Sequence, residues 1–375
     1  MAGIYIHIPF CKKACHYCNF HFSTQTKNIE YFTNALLKEI EIQKNYLIEP
    51  IETLYFGGGT PSLLPIPDFL KIVNKVTALF SLSANIEFTI EANPDDIQLE
   101  NVNAWKKAGV NRLSMGVQSF QPSALSWMNR AHTTHQAHQA IEMTKEAGIN
   151  NISVDLIYGT PQLTNDDLTS DLTIIQQYQI QHLSCYALTV EDKTALHKMI
   201  QNKKMDPIHP EQQAKHFEII SDFTEAMGME HYEISNFCQP GYRSKHNSNY
   251  WKGIPYLGLG PSAHSYNLHS RQWNIANNQL YISALMKNEL PFEIEHLSMA
   301  TKFNEYMMIS LRCIEGFSLP YILDQFGTKF LEHTKFKAED LLTKNLITAT
   351  NQGYTLTKSA KFLADGIASD FFWID

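Results

Sequence analysis

Seven short runs rich in β-branched and aromatic residues recur over about the first 235 positions, near 3–8, 53–56, 86–90, 112–117, 152–157, 182–187 and 231–234. Longer amphipathic stretches separate them. Between the first two, Ile29, Phe32, Leu36 and Ile40 fall at helical spacing among Lys and Glu, giving one apolar stripe to lay on a sheet. Strands that alternate with helices of this length predict βα units on a parallel sheet. A weak repeat agrees: Ala108-Gly109-Val110-Asn111 returns as Ala147-Gly148-Ile149-Asn150, each between a helical pattern and a strand, and Gly228 lies two further periods on. Each glycine suits the left-handed residue that ends a helix. Six or so such units predict an α/β fold, a partial or complete (β/α) barrel.

An α/β barrel takes about 200–250 residues by itself, so a chain of 375 has room for a small additional domain. The expected parts are a barrel core over 1–235, a connecting segment over 236–297 and a C-terminal domain over 298–375. In the last, short helices precede two strands about a turn within 346–356 and then a final helix, a winged-helix-like α+β pattern. Nucleic acid is not its expected partner, since residues 299–375 hold 8 Lys plus Arg against 9 Asp plus Glu, and the whole chain carries a net charge of −8. With 44% hydrophobic and 18% charged residues, the chain can bury a sizeable core. No stretch approaches the roughly 20 apolar residues of a membrane span and the first residues lack signal-peptide character, so a cytoplasmic location without a transmembrane segment is expected.

Six cysteines are too few for a disulfide scaffold, yet three of them, Cys11, Cys15 and Cys18, lie within eight positions directly after the first predicted strand. Zinc would need His7, His16 or His21 to complete a tetrahedron, and no second Cys-x-x-Cys pair exists. Reduced structural thiols are the bland reading. An iron–sulfur cube on three thiolates would leave one iron without a protein ligand. Polar groups then recur at successive strand ends: Gly57-Gly58-Gly59-Thr60-Pro61, Glu91, Gln118, Arg130 just beyond, and Asp155. Parallel α/β folds bind ligands at that end of the sheet.

The triplet ending Cys18-Asn19-Phe20 resembles the signature of the radical S-adenosylmethionine (radical SAM) superfamily. The resemblance implies a 4Fe-4S cluster whose open iron chelates S-adenosylmethionine, and one-electron cleavage of the sulfonium bond to a 5′-deoxyadenosyl radical, with the protein orienting the cofactor. Tyr5-Ile6-His7-Ile8-Pro9-Phe10-Cys11, the Gly-Gly-Gly-Thr-Pro turn, Gly-Val-Gln-Ser-Phe and Asp-Leu-Ile-Tyr-Gly narrow the likeness to the oxygen-independent coproporphyrinogen III oxidase group, and within it to the HemW-like haem chaperones. By matching position, cofactor contacts are implied for Tyr5, Gly58, Gly59, Thr60, Glu91, Gln118, Arg130 and Asp155. The oxidases carry a further cysteine two residues after the third ligand, where this chain has Phe20, and a longer N-terminal extension. His246-Asn247-Ser248-Asn249-Tyr250-Trp251 resembles the HNxxYW motif of the chaperones, which implies haem binding and makes His246 the first candidate for its iron, ahead of His264, Cys238 and Cys313. The implied partners are haem and an unidentified acceptor protein, a membrane-bound one included. The alternative is the oxidase, which decarboxylates propionate side chains.

Overall fold

The computed structural model describes residues 1–374; residue 375, the last of the expected C-terminal domain, lies outside the described residues. Six strands, β1 (Ala2–Ile8), β2 (Ile51–Gly58), β3 (Leu82–Ala92), β4 (Arg112–Gln118), β5 (Asn151–Tyr158) and β6 (His182–Ala187), are parallel neighbours in chain order. Helices cross between them, as parallel pairing requires. The helix Ile29–Ile42 carries the expected stripe, with Phe32, Leu36 and Ile40 fully buried. Each such side chain contributes about 1.5–3 kcal/mol by leaving water. Gly109 and Gly148 end their helices at φ +105° and +78°, in the left-handed region the repeat called for.

The seventh expected strand departs from the series. β7 (Glu230–Glu233) pairs antiparallel with β8 (Asn236–Cys238), which is itself antiparallel to β6. Only Ile234 and Ser235 separate β7 from β8, too few for a crossover, so the pair closes as a hairpin with β8 beside β6. The Glu233 carboxylate fastens the turn by accepting from Ser235 N at 3.0 Å and Asn236 Nδ2 at 2.5 Å.

At the opposite side β9 (Tyr256–Leu259) runs parallel to β1, and β10 (His264–Tyr266), β11 (Ser270–Asn274) and β12 (Phe292–His296) continue as an antiparallel meander. The segment 236–297 therefore extends the same sheet at both ends. The result is one twelve-stranded sheet, β12-β11-β10-β9-β1-β2-β3-β4-β5-β6-β8-β7, whose end strands do not pair with each other: a partial barrel.

Through the middle of β2 to β6 side chains alternate between two faces. Leu54, Phe56, Phe88, Ile90, Leu113, Met115, Ile152, Val154 and Leu183 face the helices and belong to one apolar core. The intervening residues Thr53, Tyr55, Glu87, Thr89, Arg112, Ser114, Ser153, His182 and Ser184 are also buried, but on the concave side. There they bond across strands, as Ser153 Oγ does with His182 Nδ1 at 2.7 Å and Ser184 Oγ with Asn236 Oδ1 at 3.1 Å. The barrel is thus lined by polar groups rather than by the branched aliphatic layers usual in closed barrels.

A second core gathers Phe303, Met307, Leu311, Phe317, Ile322, Leu341, Ile367 and Phe371 around helices and a three-stranded antiparallel sheet of β13 (Phe317–Ser318), β14 (Ile347–Ala349) and β15 (Gly353–Leu356). This is the winged-helix-like α+β unit expected there. Arg312 ties it to the barrel, pairing with Glu233 and Asp365 at 2.9 and 2.8 Å and lying over the Trp251 ring. Among the described residues no helix is long and apolar enough to cross a membrane.

Candidate functional site

A cavity of about 620 Å³ opens at the C-terminal ends of β2 to β6. Of the twelve residues singled out for cofactors and metal, ten line it, and Tyr5 and His246 do not. Its far wall includes Arg312, Phe362 and Asp365 of the C-terminal unit.

The loop after β1 supplies the three thiols. Its base is closed by Cys11 N to Ser23 O at 3.0 Å and Ser23 N to Pro9 O at 2.9 Å. Its tip leans on the turn before Arg130, through His16 N to Met128 O at 3.2 Å and Asn129 Nδ2 to Ala14 O at 2.7 Å. Lys12 forms ion pairs with Asp95 and Asp96 after β3. No cysteine of the six is in a disulfide. Thr60 Oγ1 donates to Cys11 Sγ at 3.4 Å and Arg130 NH1 to Cys15 Sγ at 3.3 Å. Burial pushes the Cys11 thiol up to about 11 against the Thr60 hydrogen bond, with Cys18 and Cys15 adding to the rise, and burial raises Cys18 as well. Such thiols ionise when positive charge arrives beside them, which is the behaviour of a metal donor set.

Each of the three imidazoles that could complete a zinc site is engaged elsewhere. His7 Nε2 meets His21 O at 2.9 Å, His21 Nε2 meets Asn278 Oδ1 at 2.7 Å, and His16 Nδ1 meets Trp127 O at 2.9 Å. Among the described residues no three His, Cys, Asp or Glu side chains converge on one ion-sized position. A cube asks instead for one thiolate per iron.

Beside the thiols, the glycine turn leaves room only for backbone. A Cβ on Gly59 would stand 2.7 Å from Phe10 O and 2.8 Å from Ile8 O. Glu91 is held from two sides, accepting from Gly58 N at 3.1 Å and from Tyr55 OH at 2.8 Å. Burial pushes its carboxyl up to about 7, and Asp155 is likewise raised to about 6, chiefly by burial. Arg130 donates through NH2 to Asn93 Oδ1 and Gly116 O, both at 2.6 Å, while its buried Nε has no partner. Gln118 sits at φ +70° where the register of β4 against β5 slips, a bulge that turns its side chain into the cavity.

Tyr5 and His246 lie beneath. Tyr5 OH is 3.2 Å from His7 Nδ1, and its ring would be 2.9 Å from a Cβ on Gly57. His246 is buried at the floor of the barrel with both ring nitrogens taken, Nδ1 by Thr53 Oγ1 at 2.8 Å and Nε2 by Tyr250 OH at 2.9 Å. Burial, with Arg112 adding, lowers it to about 3, which keeps the imidazole neutral. His264 is exposed on β10 and stacks with Trp273 at 6.0 Å. Cys238 is buried and Cys313 half-buried.

The match to known proteins follows this geometry. Residues 5–173 match the radical SAM superfamily. Heme chaperone HemW of Bacillus subtilis is 33% identical over 99% of both chains, and heme chaperone HemW of Lactococcus lactis is 32% identical over 97% of both. The chain belongs to the HemW family. Its fold is also that of the Escherichia coli coproporphyrinogen III oxidase HemN, a radical SAM enzyme, with a TM-score of 0.86 at 22% identity, covering 99% of this chain and 89% of that one. Membership of the radical SAM superfamily implies a 4Fe-4S cluster and S-adenosylmethionine, and the HemW relatives are named for haem.

Several residues around the site escaped the sequence reading. Asn93 bridges Thr60 and Arg130, and Tyr17 OH stands 3.5 Å from Arg130 NH1. Tyr55 holds Glu91, and Arg112 lies buried in the lining with Nε and NH1 unpartnered. The period-two alternation already placed Tyr55 and Arg112 on the face shared with Glu91, and that parity was the available signal.

Proposed function

We propose that this HemW-family chain is a haem chaperone that binds haem and hands it to an acceptor protein in the cytoplasm, while carrying a 4Fe-4S cluster and S-adenosylmethionine. The likeness to heme chaperones along 99% of both chains carries the reading. The site's chemistry supports the two resident groups. Cys11, Cys15 and Cys18 would hold the cluster. The unpartnered Nε of Arg130 and the carbonyl-lined Gly58-Gly59 turn suit the cofactor's carboxylate and ammonium, and Thr60, Glu91, Gln118 and Asp155 suit its hydroxyl and amino groups. When bound, this pair supplies one-electron chemistry at the sulfonium. The protein's own part is to fix the thiols, exclude water with the C-terminal wall and set the charge of Glu91 and Asp155. Tyr5 supports the glycine turn from below.

Within this reading the barrel over 1–235 carries the resident groups, 236–297 brings the haem motif, and 298–375 covers the mouth. Capture of haem iron by His246 requires its ring to leave Thr53 and Tyr250. Coproporphyrinogen oxidation is the competing reading. Likeness to that enzyme is one of fold, and Phe20, 67% exposed at the cavity, stands where the resemblance puts the oxidase's further cysteine.

The deciding experiment offers anaerobically reconstituted protein haem and coproporphyrinogen III separately. Stable haem binding, release to an apo-haemoprotein and no decarboxylation are expected. Turnover to protoporphyrinogen would replace the chaperone reading with the oxidase.

A further inference from the structure

The helix Lys245–Trp251 closes the bottom of the barrel, and its anchoring is specific. The Glu87 carboxylate accepts from Lys245 N at 3.0 Å and His246 N at 2.9 Å, so its charge meets the helix N-terminus. The imidazole then enters the barrel between Thr53 and Tyr250. There it lies 4.8 Å from the Tyr55 ring at an interplanar angle of 24°, while Tyr5, the cross-strand partner of Tyr55, stacks with the same two rings at 6.1 and 6.2 Å. Tyr55 spends its hydroxyl on Glu91 Oε1. The other oxygen of Glu91 takes the amide of Gly58, inside the glycine turn. A continuous series of contacts therefore runs from the motif helix to the wall of the cavity: Glu87, His246, Tyr55, Glu91, Gly58.

We infer that His246 is a positioning residue for the cofactor site, acting through Tyr55 to hold Glu91 in place for S-adenosylmethionine. The inference rests on the proposed cofactor reading of Glu91. Gly57, next to Tyr55 on the same face, has no side chain, and a Cβ there would meet Tyr5, Tyr55 and Glu91 within 3.1 Å. The three groups are packed closely enough that a shift of Tyr55 reaches the carboxylate. Removing the imidazole leaves Tyr55 with Tyr5 on one side and a void on the other, and a buried aromatic pair loses its face-to-face contact. The stacked ring, rather than its hydrogen bonds, is the part that bears on Glu91.

The test is equilibrium dialysis of S-adenosylmethionine against the full-length, cluster-reconstituted protein and its variants, with iron content and thermal midpoint recorded for each. His246→Ala and His246→Gln should both weaken binding by about fivefold, and His246→Phe, which keeps a ring against Tyr55 and loses both hydrogen bonds, should stay within about twofold of the parent. Tyr55→Phe should weaken binding to a similar extent, and Tyr55→Phe with His246→Ala should be no weaker than Tyr55→Phe alone. Parent-like affinity in His246→Ala, a Phe variant as weak as Ala, or losses that multiply in the double variant would overturn the inference. If His246→Ala does not fold, the Phe and Gln pair decides: Gln tight with Phe weak is the overturning result. A parent protein that takes up no S-adenosylmethionine would overturn the cofactor reading together with this one, and is told apart by failing before any substitution is made.

Discussion

The mouth and the floor of the barrel are built from the same material, polar side chains on the concave face of β2 to β6, yet they are finished differently. At the mouth, Arg130 Nε has no partner and Gln118 is turned into open space by a bulge. At the floor, His246 spends both ring nitrogens and its amide on neighbours, and the helix that carries it is capped by Glu87. A buried polar atom without a partner costs about 1–3 kcal/mol, and the floor carries such atoms too, Arg112 Nε and NH1 with Asn249 Nδ2 and Trp251 Nε1 of the motif helix. What sets the floor apart is the His246 imidazole, whose full pairing marks a seat. An imidazole in such a seat has to be released before it can act as a metal ligand.

The largest effect should come from the mouth. Replacing any of Cys11, Cys15 or Cys18 with Ser is expected to remove most cluster iron and the visible absorption after reconstitution, whereas Cys185→Ser, on the apolar face, should leave both in place. Unchanged iron and sulfide in a triple Ser variant would dissolve the contrast. Next, Arg130→Ala and Glu91→Ala should keep the cluster and weaken S-adenosylmethionine about ten- to hundredfold, since a charge-assisted partner is worth about 1.5–3 kcal/mol. Anaerobic titration giving parent affinity for both would take them out of the site.

Glu87→Ala probes the floor. It strips the acceptor from the buried His246 amide and the part-buried Lys245 amide of the motif helix and should cost about 1–2 kcal/mol of stability with cluster iron unaltered. A thermal midpoint equal to the parent's would mean the helix is held by other contacts.

The smallest effect is one of pH. Burial raises Glu91 and Glu39 to about 7 and Asp155 to about 6. A carboxyl raised on folding contributes stability that is complete below its unfolded value of about 4 and is lost as pH rises through the folded value. Burial acts on the imidazoles in the opposite sense, lowering His7 and His132 to about 4 and His231 and His246 to about 3, so they favour the folded state as pH rises toward about 6.5 and offset the carboxyls in the thermal midpoint of the ligand-free protein. S-adenosylmethionine affinity should rise over pH 6–7 as Glu91 and Asp155 ionise, and Glu91→Gln should flatten that rise. A pH profile unchanged in Glu91→Gln would refute the role given to its charge.

Much of the barrel could be read from sequence because β1 to β6 are long, alternate cleanly and are separated by helices. The hairpin of β7 and β8 and the meander of β9 to β12 could not, since strands of three to five residues leave too short a pattern to assign a neighbour or a direction. In the site, spacing brought the thiols and glycines to notice, and ten of twelve named residues share the cavity. The place of His246 was hidden because a His-Asn-x-x-Tyr-Trp run reads the same whether its imidazole faces solvent or stacks on Tyr55. Long-range packing, at a sequence separation of 193 between Thr53 and His246, decides which.

The polar lining also bears on how the molecule responds to temperature. Unfolding a barrel filled with Val, Ile and Leu exposes apolar surface, which raises the heat capacity by about 0.45 cal/K/mol per Å², whereas exposed polar surface lowers it by about 0.26. Opening the interior around Thr53, Thr89, Arg112, Ser153 and His182 adds the second kind. The heat-capacity change of unfolding is accordingly smaller than for an aliphatic-lined barrel of equal size, and the stability curve is flatter. Its resistance to unfolding varies less between cold and warm conditions than that of an aliphatic-lined barrel, and it leans more on hydrogen bonds made inside the barrel, such as those of Ser153 with His182 and Thr53 with His246.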